Sequence, residues 1–345
     1  MSTAVELLAT AGSELGAQLR YGLTGLRAAL AAALQEHPDD PGAAACARYL
    51  AELDELVAPA PVTRRVEPVA SAAAGAALLD HPAAPPWLRA ADGPDAWRRY
   101  HVAALRLAAP DAQRWLAAVT EALGAPASDG SWHSLPGDED LVLVPPLPGS
   151  AGWRAAVNAP ADRDVRERLR VDAAPADPHR AELARLASTV LAMTELDDDL
   201  WFGLESVRFR GLGRLDDATR TAYHRDLLDR LAGYGSARYG TPESFRALLL
   251  VDEALHAVLH LPRSAPGSWW SRLLNRSRDL VFAAQRDHQG VDVQLLARPY
   301  RETKALTGGN DVRHPLDGSG AVLACLRLWA TVAGTELPGR VVYAG

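Results

Sequence analysis

"LLLVDEALHAVLH", residues 248–260, decides how the chain is read, because an apolar run passes into a helix-like pattern that carries Asp252, Glu253, His256 and His260. On a helix, residues four apart share a face, so Asp252, His256 and His260 make one stripe and Glu253 sits one position around. Asp252 and His260 would lie roughly 12 Å apart along the axis at 1.5 Å per residue, too far to share one ion. A metal site on this segment is therefore a pair, Asp252 with His256 or His256 with His260. Zinc or iron(II) accepts imidazole and carboxylate, and a facial triad takes one further ligand from elsewhere. His288, His314 and Glu195 with its neighbouring aspartates are the remote candidates. The competing reading is a partly buried helix whose histidines are satisfied by nearby carboxylates.

Outward from this segment the pattern is mainly helical. Apolar residues recur at three- and four-residue spacing from Glu6 to about Leu56, broken at "HPDDPG" (37–42), which predicts a helical hairpin. Residues 57–70 hold three prolines and no helical period, so they read as a linker or an extended edge. Residues 95–124 predict two helices with a break at Pro110 and Asp111. Between 126 and 160 the chain is rich in Gly, Pro and acidic residues around one strand candidate, Leu141–Val144. Beyond lie a helix that stops near "TELDDDL" (194–200), a strand over 204–213, helices over 217–233, 242–261 and 269–289, and a last helix from about Gly318 to Val332. The expected fold class is mostly α with a few short β-strands (α+β). The expected organisation is a helical N-terminal region (1–125), a connecting region (126–184) and a C-terminal metal-site-like helical domain (185–345).

Composition narrows the function. The chain has 345 residues, 48% of them hydrophobic, enough for a substantial core. Its net charge is −7 without long runs of one sign, which disfavours nucleic acid and anionic membranes as partners. Two cysteines, Cys46 and Cys325, cannot make a disulfide framework or a thiolate zinc cage, so a reducing compartment is expected. The N-terminal segment has neither the basic start nor the continuous apolar stretch of a signal peptide or membrane span, and a cytoplasmic location is expected. "ALTGGND" (305–311) and "GLGRL" (211–215) read as turns, "TELDDDL" as a helix end, and no Ser/His/Asp set with a nucleophile elbow is visible. Trp269 and Trp270 either stack on a peptide or pack with one ring inward at a domain seam.

"RALLLVDEALHAVLH", then "RPYRE" (298–302) and "HPLDGSGAVLACLRLW" (314–329), together resemble the HExxH-motif family of peptide-modification proteins, of the iron(II)/2-oxoglutarate-dependent peptide β-hydroxylase type. Leu249, Leu250 and Val251 match the apolar run, Glu253 the glutamate and His256 the second histidine. Pro299, Tyr300 and Arg301 match an aromatic-Arg loop; Pro315, Leu316 and Gly318 match a turn before the last helix. Asp252 stands where the family has its first histidine. The resemblance implies that Asp252 and His256 bind iron, with His314 or His260 as third ligand and Glu253 beside them. It implies that Arg301 or Arg313, with Tyr300, holds the distal carboxylate of 2-oxoglutarate, a task suited to a guanidinium. The substrate would be a ribosomally made precursor peptide. Two alternatives stand beside this reading: a catalytically degenerate homologue that binds a peptide or partner, and a metal-dependent oxygenase acting on a small biosynthetic substrate.

Overall fold

A computed structural model of the chain describes Leu30, Leu34 and residues 40–57, 94–123, 130–147, 150–173, 177–203, 211–261, 263–314 and 319–345. The chain divides into two compact units, Met1–Pro68 and Val69–Gly345. Of the first, the main described element is helix α1 (Ala43–Val57), where the Asp40 side chain accepts the Gly42 N–H at 2.6 Å. The rest of the expected N-terminal hairpin and most of the linker at 57–70 lie outside the described residues.

The second unit is mixed α+β. Its helices are α2 (Pro94–Ala104), α3 (Ala109–Leu123), α4 (Arg163–Leu169), α5 (Arg180–Leu196), α6 (Asp217–Ser236), α7 (Pro242–His256), α8 (Trp269–Asp287) and the single turn α9 (Tyr300–Thr303). The strands are β1 (Trp132–Pro136), β2 (Leu141–Val144), β3 (Gly152–Ala156), β4 (Trp201–Phe202), β5 (Gly213–Arg214), β6 (Val258–Leu259), β7 (Val291–Gln294), β8 (Val312–His314), β9 (Val322–Arg327), β10 (Trp329–Val332), β11 (Thr335–Leu337) and β12 (Arg340–Ala344). Among the described residues they form three-stranded sheets in the orders β1-β3-β2, β5-β4-β6, β11-β10-β7 and β8-β12-β9. Strand content is therefore well above the few strands expected.

One apolar core joins Val102 near the end of α2 and Leu105 just beyond it to Leu143 of β2, Val190 of α5, Leu227 of α6, Leu248 of α7, Val281 of α8 and Val332 of β10. The boundaries expected near 125 and 184 fall within this continuous core. Each main helix earns its place by periodicity: Tyr223, Leu227, Leu231 and Tyr234 give α6 one buried stripe. α7 begins with Pro242 in its first turn and with Thr241 accepting the Ser244 N–H through its side chain at 3.2 Å.

Two expectations near the site are corrected. α7 stops at His256 and the chain turns into β6, whose Val258 and Leu259 pair with Phe202 and Trp201 of β4. Tertiary pairing overrides the helical pattern, and Pro262 in the sequence would have broken a longer helix. His260 is thus not on the helix, and the three-residue stripe does not exist. Within the expected last helix, Gly318–Val332, the chain instead forms β9 (Val322–Arg327) and β10 (Trp329–Val332). Ala324, Leu326, Leu328, Ala330 and Val332 are buried at alternate positions, a strand period. The family-like turn Pro315, Leu316 and Gly318 lies outside the described residues.

Candidate functional site

α7 carries Asp252 and Glu253 into the interior, where both are almost wholly buried. A buried carboxylate needs partners, and each has its own set. One Asp252 oxygen accepts the Ser277 hydroxyl at 2.8 Å, and the other is paired with the Arg278 guanidinium, both groups coming from α8. Arg278 also donates to the Cys325 carbonyl of β9 at 2.7 Å, so one side chain ties α7, α8 and β9 together. Burial works to raise the Asp252 pKa, but the Arg278 charge, together with the His256 and Ser277 contacts, outweighs it and holds the carboxyl below the usual range. Glu253 faces elsewhere: Arg230 of α6 lies at 2.9 Å, Arg327 at 3.7 Å and Arg340 at 3.9 Å. It is the anchor of an arginine cluster, not a base open to a substrate.

His256 ends α7 with Nδ1 at 3.0 Å from the Asp252 carbonyl and 3.3 Å from its carboxylate. Burial, reinforced by the Arg278 charge, lowers its pKa and keeps the ring neutral. His260 is held on both ring nitrogens, with Nε2 at 2.7 Å from an Asp197 oxygen and Nδ1 at 3.0 Å from the Ser264 hydroxyl. The other Asp197 oxygen accepts the Asp199 N–H at 3.0 Å, while Asp199 itself pairs with Arg106 and Arg214. Burial, with repulsion from Arg106, lowers the His260 pKa despite Asp197.

The remaining predicted residues are dispersed. His314 lies on β8 with its ring edge-on to Trp201 at 5.7 Å, and its Nδ1 is buried without a partner. His288 caps the end of α8 and bonds the Ala284 carbonyl at 2.7 Å, and Glu195 pairs with Arg220 at 3.3 Å. Tyr300 is stacked on Tyr343 at 3.7 Å and donates to Asp311 at 3.0 Å. Arg301 is 85% exposed beside Glu302, and Arg313 is exposed on β8. Neither lines the cavity described next.

The donors therefore do not fit an iron centre. Both Asp252 oxygens are engaged, with a cation already against one; both His260 nitrogens are engaged; and among the described residues no three His, Cys, Asp or Glu side chains converge as metal ligands. The expected third ligand, His314, packs against Trp201 instead.

What α7, α8 and β9 do enclose is a cavity of about 80 Å³. His256, His260, Arg263, Ser264, Trp270 and Cys325 line it together with Ser271 and Asn275 of α8, and apolar side chains fill the rest of the wall. Among the described residues no carboxylate lines it. Arg263 is exposed and has no ion-pair or hydrogen-bond partner among the described residues, and the Trp270 indole N–H is buried without one. Burial pushes the Cys325 thiol up, so it stays protonated. Trp269 and Trp270 are both buried, against the reading that they stack on a peptide. The loop that brings Arg263 and Ser264 here is fixed by Ala265 donating to the Arg106 carbonyl at 2.8 Å and Trp270 to the Leu105 carbonyl at 3.1 Å.

Ser264 was not singled out in the sequence, and Asp197 was named only as one of the aspartates beside Glu195, as a metal-ligand candidate. Asp197 is 63 positions from His260, and no local spacing announces the pairing. Comparisons of the chain with protein-family models, curated proteins and solved structures found no match.

Proposed function

We propose that the chain works without a metal and is a binding protein whose cavity beside α7 takes a small carboxylate-bearing ligand, such as the end or an acidic side chain of a peptide. The observation that carries this is the Arg278 guanidinium on Asp252: the position that would hold a metal ligand has a built-in cation. The resemblance to the HExxH peptide hydroxylases is then one of ancestry in the helix, with iron and 2-oxoglutarate no longer used. The wall of the cavity supports an anionic ligand, since among the described residues it offers one unpaired guanidinium, neutral imidazoles, hydroxyls and an amide, and no acidic group. A carboxylate accepts from such donors with charge assistance. Among the described residues no helix is long and apolar enough to cross a membrane, and both cysteines are free, which fits a reducing, aqueous compartment.

Titration of the anaerobically purified protein with iron(II), and separately with succinate, tests this. Expected are no stoichiometric iron binding and a succinate affinity that falls about tenfold in Arg263→Gln, the loss of one charge-assisted contact. Stoichiometric iron lost in both Asp252→Ala and His256→Ala would overturn the reading and restore the oxygenase.

A further inference from the structure

We propose that Ser264, His260 and Asp197 form a nucleophilic triad that opens on this cavity and transfers the acyl group of short-chain esters bearing a carboxylate. The inference rests on the cavity being a ligand site, as argued above, and adds chemistry to it.

A carboxylate offers only lone pairs, so the contact of 2.7 Å between Asp197 and His260 places the proton on Nε2. Nδ1 then presents a lone pair, and the group it meets at 3.0 Å is the Ser264 hydroxyl. That is the arrangement of an activated nucleophile: hydroxyl, base, and a third group orienting the base. Asp197 is itself oriented by the Asp199 N–H at 3.0 Å. A histidine buried only for packing could turn its second nitrogen to any carbonyl; this one meets a hydroxyl on the wall of a cavity.

The step balances within these groups. Ser264 Oγ attacks the ester carbonyl as its proton passes to His260 Nδ1, and the carbonyl electron pair moves onto oxygen. The tetrahedral adduct collapses with cleavage of the bond to the leaving alkoxide or phenoxide, which takes the proton from Nδ1. Water, activated by the same imidazole, then cleaves the acyl-serine and returns the hydroxyl. Ser271 and Asn275 line the cavity with side-chain donors, and the Trp270 indole N–H beside them is buried without a partner among the described residues; they supply hydrogen bonds to the transient oxyanion. A space of about 80 Å³ seats a short acyl chain, while Arg263 in the same wall meets a carboxylate.

Reaction of the full chain with a fluorophosphonate, followed by peptide mass spectrometry, reads the nucleophile directly. The expected result is one phosphonyl adduct on Ser264, formed with loss of fluoride and absent in Ser264→Ala, which only removes one hydroxyl from a half-buried loop. Hydrolysis of 4-acetoxybenzoate should fall at least a hundredfold in Ser264→Ala, in line with general-base catalysis. In Arg263→Gln the preference in kcat/KM for 4-acetoxybenzoate over phenyl acetate should fall about tenfold, the loss of one charge-assisted contact. For Asp197, a positioning residue, Asp197→Asn should alter the acid limb of the pH–rate profile as well as the rate. No adduct in the wild type, an adduct elsewhere, or hydrolysis unchanged in Ser264→Ala overturns the triad. Succinate binding with no adduct would sink the triad alone; absence of succinate binding would sink the cavity reading beneath it.

Discussion

Arg278 decides the character of α7 more than any residue on α7 itself. Its guanidinium neutralises Asp252 in a setting where water cannot, so removing it leaves a buried charge without a counterion. Arg278→Met should destabilise the protein by roughly 3–5 kcal/mol in urea unfolding, whereas the double variant Asp252→Asn, Arg278→Met should recover a large part of that loss. Equal losses in the two would mean that Arg278 acts through β9 rather than through Asp252. The sequence displayed Asp252 and His256 at the correct spacing for a contact, and the structure keeps that contact at 3.3 Å. It could not display Arg278 or Asp197, because which charge meets which across 26 or 63 residues is a property of packing.

At the level of elements, helices were the legible part. Their apolar stripes repeat over several turns, so α5, α6 and α8 are found close to their expected limits. β9 and β10 were hidden because Leu323, Cys325 and Trp329, apolar residues on the less buried face, fill the gaps in an alternating pattern and imitate a helix. The turn that follows is a clearer strand signal. Ala333 and Gly334 join β10 to β11 as a two-residue hairpin loop, both with positive φ, 51° and 76°. Ala333 pays a side-chain clash for that conformation. Ala333→Gly should therefore raise stability by about 1 kcal/mol, less the entropy that glycine loses on folding. A drop in the urea midpoint instead would show that the Ala333 methyl contributes packing that outweighs its strain.

Across the whole molecule, buried histidines set the response to acid. His101 has its pKa lowered by burial to about 4, and His256 and His260 are lowered from 6.5 by burial as well. Below pH 6.5 the unfolded chain binds protons that the folded chain refuses, so stability is full above that value and is lost as pH falls toward the folded pKa values. Each such histidine contributes a slope of about 1.4 kcal/mol per pH unit in that window. Tm should fall by on the order of 10 °C between pH 7 and pH 5; a flat profile would mean these rings titrate as they do in an open chain. The scale of the whole is also where the sequence was least informative. The composition shift at 126–160 resembles a boundary, yet Leu135, Leu143 and Val144 from that stretch join the same core as Leu183 and Leu248.

The Asp252–Arg278 pair has one more consequence, and it concerns supply. A carboxylate neutralised by iron depends on the cell for its counterion, and its helix is exposed whenever that ion is scarce or chelated. Here the counterion is translated with the chain, and a guanidinium keeps its charge at every pH a cell reaches. The charge on Asp252 is balanced as soon as α8 docks, and on the metal-free reading proposed above a cell starved of iron would fold this protein as readily as one that is replete.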